Sequence, residues 1–477
     1  MGQAIDRTSF QHRDYARFKR QLAVETALLH DLVERDALSR HAPVAGLELE
    51  AWLIDAGGRP APRNDEFISR MGSPDIVTEL GRFNIELNVQ QQPVSGDGLG
   101  RLSADLEATW GRCRGVAAEM GLQVVAIGIL PTLTDADLTL ANLSNRTRYR
   151  ALNEQVLRQR HGRANLLDIT GSQGETMHSA HHDVMLEAAA TSFQVHLQVP
   201  ASETVRSYNA ALIASAPAVA LSGNSPLLFG RQLWQETRIP LFEQALNIGA
   251  REDGAHDALA RVSFGSGYAG YSLVECFREN LERFEPLLPV ELADPADRLP
   301  HLRLHNGTIW RWNRPLVGFD ADGPIHLRVE HRPMAAGPSM TDMMANLAFS
   351  IGLIAALAAE PAPPERALAF DDARRNFYDA ARLGLEASLR WTDGRMLRAD
   401  HLLGELVPRA RDGLAVLGVD AALADQWMAV VEARLAARMT GARWQTARLD
   451  ALGGDLAALT LDYTRRQAEG APVHLWR

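Results

Sequence analysis

Glu48 and Glu50, two residues apart in the run GLELEAWLID (46–55), are the first side chains in this chain whose type and spacing could do chemistry. In an extended segment alternate side chains share a face, so both carboxylates look one way while Leu47, Leu49, Ala51 and Leu53 look the other. Three further runs repeat the arrangement. The polar face of FNIELNV (83–89) holds Asn84, Glu86 and Asn88, and that of FQVHLQV (193–199) holds Gln194, His196 and Gln198. In HLRVEHR (326–332) it holds His326, Arg328, Glu330 and Arg332. Alternation alone allows a plain solvated face, but such a face would mix Thr, Ser, Lys and Arg with Glu. Glu, His, Gln, Asn and Arg together are ligands for cations and partners for phosphate. At the rise of a strand, Glu48 and Glu50 stand about 6.6 Å apart at their bases. They could grip two cations of a phosphoryl-transfer clamp, or share one through a water. Carboxylates that converge unpaired repel one another, and cations relieve that repulsion.

Four such strands need an antiparallel sheet with its apolar side on a core. The periodicity predicts a long helix over 12–39, a strand running into a turn at Gly57-Gly58 over 46–60, a strand over 81–89, a helix over 101–120 and a buried strand over 122–130. Beyond it lie a helix at 147–160, a Gly-, Ser- and His-rich loop from 170 to 182, a strand at 192–199 and a helix at 202–221. Residues 250–300 carry no clear pattern, and strands return at 300–305, 308–317 and 325–332. After the loop 333–338 the character changes to an apolar helix at 340–358, a Pro-rich break at 361–364 and helical periodicity over 366–468. The expected organisation is an α+β catalytic portion, 1–360, with a helical portion, 361–477, packed on it.

The bulk composition narrows the chemistry. At 477 residues, with 46% hydrophobic and 23% charged residues, the chain reads as globular. The net charge of −10 argues against nucleic acid as the main partner. No uninterrupted apolar run approaches a membrane span, and Met1 to Arg20 is too polar for a secretory signal. Cys113 and Cys276 are the only cysteines and lie far apart, which suits a reducing cytosol without a disulfide framework. Lys19 is the only lysine, so a Walker-type loop or a Schiff-base mechanism is disfavoured. Phosphate must then be met by arginine, backbone amides or metal ions.

The ordered set GLELE (46–50), TELGRFNIELN (78–88), TSFQVHLQVP (191–200), SGNSPLLFG (222–230), QETRIPLFEQA (235–245) and HLRVEHRP (326–333) resembles the glutamate–cysteine ligase family, in its carboxylate–amine ligase branch within the glutamine synthetase-like superfamily. The resemblance covers most of 44–345; the C-terminal helices are not matched motif by motif. It implies an α+β fold with a mostly antiparallel sheet forming a funnel-like site, and a reaction that uses ATP and magnesium, or manganese. The nucleotide would phosphorylate a substrate carboxylate, and an amine would then displace the phosphate. Glutamate and cysteine, as in glutathione biosynthesis, are the substrates the resemblance implies. By position, Glu48, Glu50, Glu79, Glu86, His196 and Glu330 would be metal ligands. Arg332 would contact ATP phosphates, and Arg238 would stabilise the transferred phosphoryl group or the acyl phosphate. The partners implied are small amino-acid substrates in the cytoplasm, with neither nucleic acid nor membrane, and a homo-oligomer is compatible.

Other residues carry two readings. Gln194 would contact substrate or cofactor, or be a sheet glutamine satisfied by backbone. Asn224, before Ser225-Pro226, would touch a ligand or cap a turn. Trp310 and Trp312 would line a pocket or pack, Arg311 and Arg314 would bind carboxylates, and GARWQ (441–445) reads as helix packing. The loop residues His178, His181 and His182, with Asp183 or Glu187, support an alternative, a zinc- or manganese-dependent hydrolase; a solvated lid is the other reading of that loop. A ligase of the same family with a different acid and amine is the second alternative, and a non-catalytic binding protein the third.

Overall fold

In the computed structural model, residues 5–248 and 260–477 are described. Seven strands form one antiparallel sheet: β1 (Val44–Ile54), β2 (Ile76–Thr78), β3 (Asn84–Pro93), β4 (Gln123–Val125), β5 (Phe193–Gln198), β6 (Asn313–Phe319) and β7 (Ile325–His331). The order across the sheet is β6-β7-β5-β1-β3-β2, and β4 pairs with the end of β1 beyond the reach of β5. Leu47, Leu49, Ala51, Ile85, Leu87, Val195, Leu197 and Val329 are buried on the apolar side. Behind the sheet pack α2 (Gly98–Glu119), α3 (Thr204–Ser222) and α4 (Met340–Ala359), while α1 (His12–Glu34) lies on the helices Val274–Arg283 and Pro300–Asn306.

Helix α4 is the one described helix long and apolar enough to cross a membrane, and most of it is buried inside the fold. Its start is fixed by a capping box: Ser339 Oγ accepts from Asp342 N at 3.1 Å, and Asp342 Oδ2 accepts from Ser339 N at 3.3 Å. One apolar cluster runs from Leu49 and Phe193 of the sheet through Leu353 to Leu406, Met428 and Tyr463 of the C-terminal helices. That cluster buries a continuous apolar surface behind the polar face of the sheet.

The segment 46–60 is the expected strand running into a turn at Gly57-Gly58: the strand ends at Ile54, and Asp55 Oδ1 accepts from Gly57 N and Arg59 N to close the turn. Other segments depart from the sequence reading. Of 122–130 only Gln123–Val125 is strand; the buried remainder gives Ala126 and Ile127 backbone groups to Gln467 and Trp52. The loop expected over 170–182 is half of a β-hairpin, Asn165–Thr170 with Thr176–His181, whose inner Leu167 and Ile169 alternate with exposed outer residues. The strand expected at 300–305 is the helix Pro300–Asn306, opened by Pro300 at its first turn. Short apolar runs do not reveal their period, and length could not arbitrate. The region without pattern, 250–300, falls partly outside the described residues. The helical portion also contains a small hairpin, Ser388–Arg390 with Met396–Arg398.

Candidate active site

Register places the polar residues side by side. Glu50 on β1 stands opposite Glu86 on β3, Glu48 lies between Asn88 and Gln194, and His196 on β5 pairs across to Glu330 on β7. Glu330 in turn faces Arg314 on β6. Two groups of three result. Ligand atoms of Glu48, His196 and Glu330 lie within 4.8 Å of one another, and so do those of Glu50, Glu79 and Glu86. Both groups open on a cavity of about 940 Å³, to which five of these carboxylates, Glu187 and Arg146, Arg148, Arg303, Arg314, Arg328 and Arg332 contribute.

The first group is held by cations of the protein. Arg314 donates to both oxygens of Glu330, at 2.7 and 3.0 Å, and Arg332 adds a third bond at 3.1 Å. Burial opposes ionisation of both acids. Even so, Arg314 and Arg332 hold Glu330 far below the usual carboxylate range, and His196 holds Glu48 at about 2. His196 Nε2 lies 3.3 Å from Glu48 and 3.8 Å from Glu330, yet no described residue gives it a hydrogen bond of good geometry. Its Nδ1 lies 3.2 Å from Arg328 Nε, and when the neutral ring accepts there its proton is on Nε2. A cation could take the Nε2 lone pair only if Arg328 released Nδ1. Gly318 on β6 stands opposite His326, and a Cβ there would collide with His326 Nε2 and Arg328, which bond to each other at 3.2 Å.

The second group has fewer cations. Glu50 accepts from Ser192 N at 2.7 Å and from Gln194 Nε2 at 2.9 Å, while Glu86 accepts from Asn88 at 2.8 Å and Glu79 from Leu80 N at 3.2 Å. Burial pushes Glu50 up to about 7 although Arg332 opposes it. Burial and the neighbouring Glu86 raise Glu79 well above its ordinary value, and burial with Glu48 raises Glu86. Glu187 is pushed up to about 8 by burial and by Glu50. Three converging carboxylates that resist ionisation are a donor set suited to a hard divalent cation.

The remaining expectations separate. Arg332 lines the cavity, donates to Gln194 Oε1 and Glu330, and has a buried Nε without a partner among the described residues. Gln194 is thereby a bridge between Glu50 and Arg332. Arg238 does not line the cavity: it opens the helix Arg238–Ala245, pairs with Glu236 at 3.2 Å, donates to Pro333 O and lies 5.2 Å over Trp312. Asn224 is also away from it, fully buried between Ala336 O, Tyr463 Oη and Gln445 Nε2. The motif GARWQ packs there, because a Cβ at Gly441 would collide with Asn224.

The histidine loop does not assemble a metal site among the described residues. His178 is exposed beside Asp168, whereas His181 is buried 3.2 Å from Asp135. Glu187 leaves them for the main cavity, in a short 3-10 turn, Met185–Ala189, where no periodicity marks it. Trp312 packs with its Nε1 on Glu243, Arg311 pairs with Glu279, and Trp310 borders the cavity. Sequence reasoning gave no role to Arg146, whose Nε donates to Thr78 Oγ1 at 3.0 Å, or to Tyr149, which donates to Thr78 O at 3.0 Å. The arginines at alternate positions in NRTRYR (145–150) were the available signal.

Comparison with known proteins gives three matches. The model of glutamate–cysteine ligase family 2 matches residues 44–461. The fold is similar to a glutamate–cysteine ligase from Francisella tularensis solved in complex with AMP, at TM-score 0.57 and 12% identity over 91% of this chain and 89% of that one. It is also similar to a bifunctional glutathione synthetase from Pasteurella multocida, at TM-score 0.51 and 12% identity, over 93% of this chain but 55% of the other. No curated protein sequence matches.

Proposed function

The chain belongs to glutamate–cysteine ligase family 2, and from that premise we propose that the cavity over β1, β3, β5 and β7 joins the carboxylate of one amino acid to the amine of another. The enzyme class is an ATP-dependent carbon–nitrogen ligase. In the proposed reaction the substrate carboxylate oxygen attacks the terminal phosphorus of ATP, the bond to ADP breaks, and an acyl phosphate forms. The amine nitrogen then attacks the acyl carbon, phosphate leaves, and the nitrogen loses a proton. Glutamate as the acid and cysteine as the amine are the first pair to test.

One observation carries this reading: two three-ligand groups on adjoining strands open on the same cavity as Arg332, whose Nε is buried without a partner among the described residues. Glu50, Glu79 and Glu86 would hold one magnesium or manganese. Glu48 and Glu330 would hold another, joined by His196 once Arg328 releases its ring. Bound there, the cations would neutralise phosphate charge. Arg332 aims its guanidinium at the phosphoryl group and is fixed by Gln194 and Glu330. Arg238 acts from behind, holding the carbonyl of Pro333 and so the end of β7. Phosphoryl transfer asks for this kind of placement and charge compensation more than for a covalent residue.

The test is to incubate the protein with ATP, magnesium and single or paired amino acids, following ADP, phosphate and product mass together. Amine-dependent ADP release with a product of the condensation mass supports the ligase. Activity restricted to another acid or amine keeps the reaction and replaces the substrate pair. ATP-independent, metal-dependent cleavage would sink the reading.

A further inference from the structure

A line of hydrogen bonds runs from the β6–β7 turn, outside the cavity, inward to His196. Its outer end is Asp320, whose side chain is only 8% exposed. Asp320 Oδ1 takes Gln198 Nε2 at 2.9 Å and His326 Nδ1 at 2.8 Å, and the carboxylate is also hydrogen-bonded by Ser39. His41 Nδ1 stands 3.2 Å from Oδ2. So fixed, the carboxylate fixes the His326 ring in turn. His326 Nε2 lies 3.2 Å from Arg328 Nη1, and Arg328 Nε lies 3.2 Å from His196 Nδ1. Gly318, opposite His326 on β6, leaves the space in which His326 and Arg328 meet.

A guanidinium only donates, so each imidazole that bonds Arg328 must offer it a lone pair. When His326 accepts through Nε2, its proton is on Nδ1, where Asp320 receives it. Burial and the Arg328 charge hold His326 below the usual imidazole range, which favours that neutral ring. When His196 accepts through Nδ1, its own proton is on Nε2, the nitrogen that lies 3.3 Å from Glu48 and 3.8 Å from Glu330. The arrangement inverts the usual support of a metal-binding histidine, whose second nitrogen donates to a carboxylate or carbonyl rather than facing a cation.

We propose that His326, anchored by Asp320, is a positioning residue that holds Arg328 on His196 as a latch. The latch weakens the grip of the Glu48–His196–Glu330 group on a divalent cation until Arg328 turns away into the cavity that it borders. It rests on the reading of that group as a cation site, but not on the identity of the substrates. The rival is a guanidinium placed only to compensate Glu330 and Glu48, with His326 as packing.

The probe is manganese alone, titrated into the full-length protein with free manganese read by electron paramagnetic resonance. His326→Leu, which removes the acceptor, should tighten the binding of one equivalent on the order of tenfold. His326→Gln, which keeps an acceptor for Arg328, should retain the wild-type affinity, and adding Glu48→Gln to His326→Leu should abolish the gain. Unchanged or weaker binding by His326→Leu, equal tightening by His326→Gln, or a gain that survives Glu48→Gln overturns the latch. A second measurement needs neither variant nor metal: nitrogen NMR of the metal-free protein should show the His196 ring bare at Nδ1 and protonated at Nε2. A proton on Nδ1 overturns the proposal as well. Neither experiment contains nucleotide or amino acid, so an inactive ligase leaves the latch standing, and a failed latch leaves the outcome of the ADP assay untouched.

Discussion

The two ligand groups on the floor of the cavity share residue types but not electrostatics. Glu48, His196 and Glu330 are compensated by Arg314, Arg328 and Arg332, and both acids lie below the ordinary range. Glu50, Glu79 and Glu86 are bonded chiefly to neutral donors and all are raised. The difference teaches that one half of the floor is held ionised by the fold itself, whereas the other half resists ionisation and is the one a cation would relieve. An arginine side chain neutralises best the carboxylate it bonds: Arg314 and Arg332 bond Glu330, whereas Arg146, beside β2, is bonded to Thr78.

That contrast can be broken by parallel substitutions. Glu50→Gln should lower ADP formation on the order of 10³-fold while leaving the melting midpoint unchanged or higher, because it removes a burdened carboxylate. Glu330→Gln should instead destabilise the protein by about 3 kcal/mol in a urea titration, since it strands two buried guanidinium groups. Equal stability of the two variants would erase the distinction.

Stability against pH sharpens it next. A carboxyl whose folded-state pKa exceeds its unfolded one contributes stability at acid pH that is lost as pH rises through the folded value. With Glu50 near 7 and Glu187 near 8, the metal-free protein should lose about 5 °C of melting midpoint between pH 6 and 9. Magnesium should flatten that decline. The compensated group runs the other way: Glu48 and Glu330 contribute above the ordinary glutamate pKa, and that contribution is lost as pH falls toward about 2. The smallest effect belongs to Asn224→Ala, away from the cavity. It should cost about 2 kcal/mol of stability and leave the KM for ATP within about twofold in steady-state assays, because the side chain ties Ala336 to Tyr463 and Gln445.

The strands and their polar faces were legible in the sequence because a period of two is written in the residues themselves. Glu48, Glu86, Gln194, His196 and Glu330 fall together for that reason, since register in an antiparallel sheet carries alternation from strand to strand. Glu79 had no such signal and followed only from the resemblance. Glu187 and Arg146 sit on a 3-10 turn and before a helix, where no period announces which way a side chain points. Arg238 had the right residue type, but its direction depends on Glu236 and Trp312, contacts that only the folded chain supplies. The helix at Pro300–Asn306 was missed because seven residues with Leu302 and Leu304 buried fit either period.

Gly318 shows that a position can matter through what it omits. It offers no ligand and no side-chain bond, yet the pair His326–Arg328, and through it the contact to His196, occupies the space its Cβ would take. Even alanine there would have to be absorbed by a partner strand whose side chains are already committed. A saturation library at Gly318 should therefore favour the smallest residues, a dependence that a search for reactive groups would pass over.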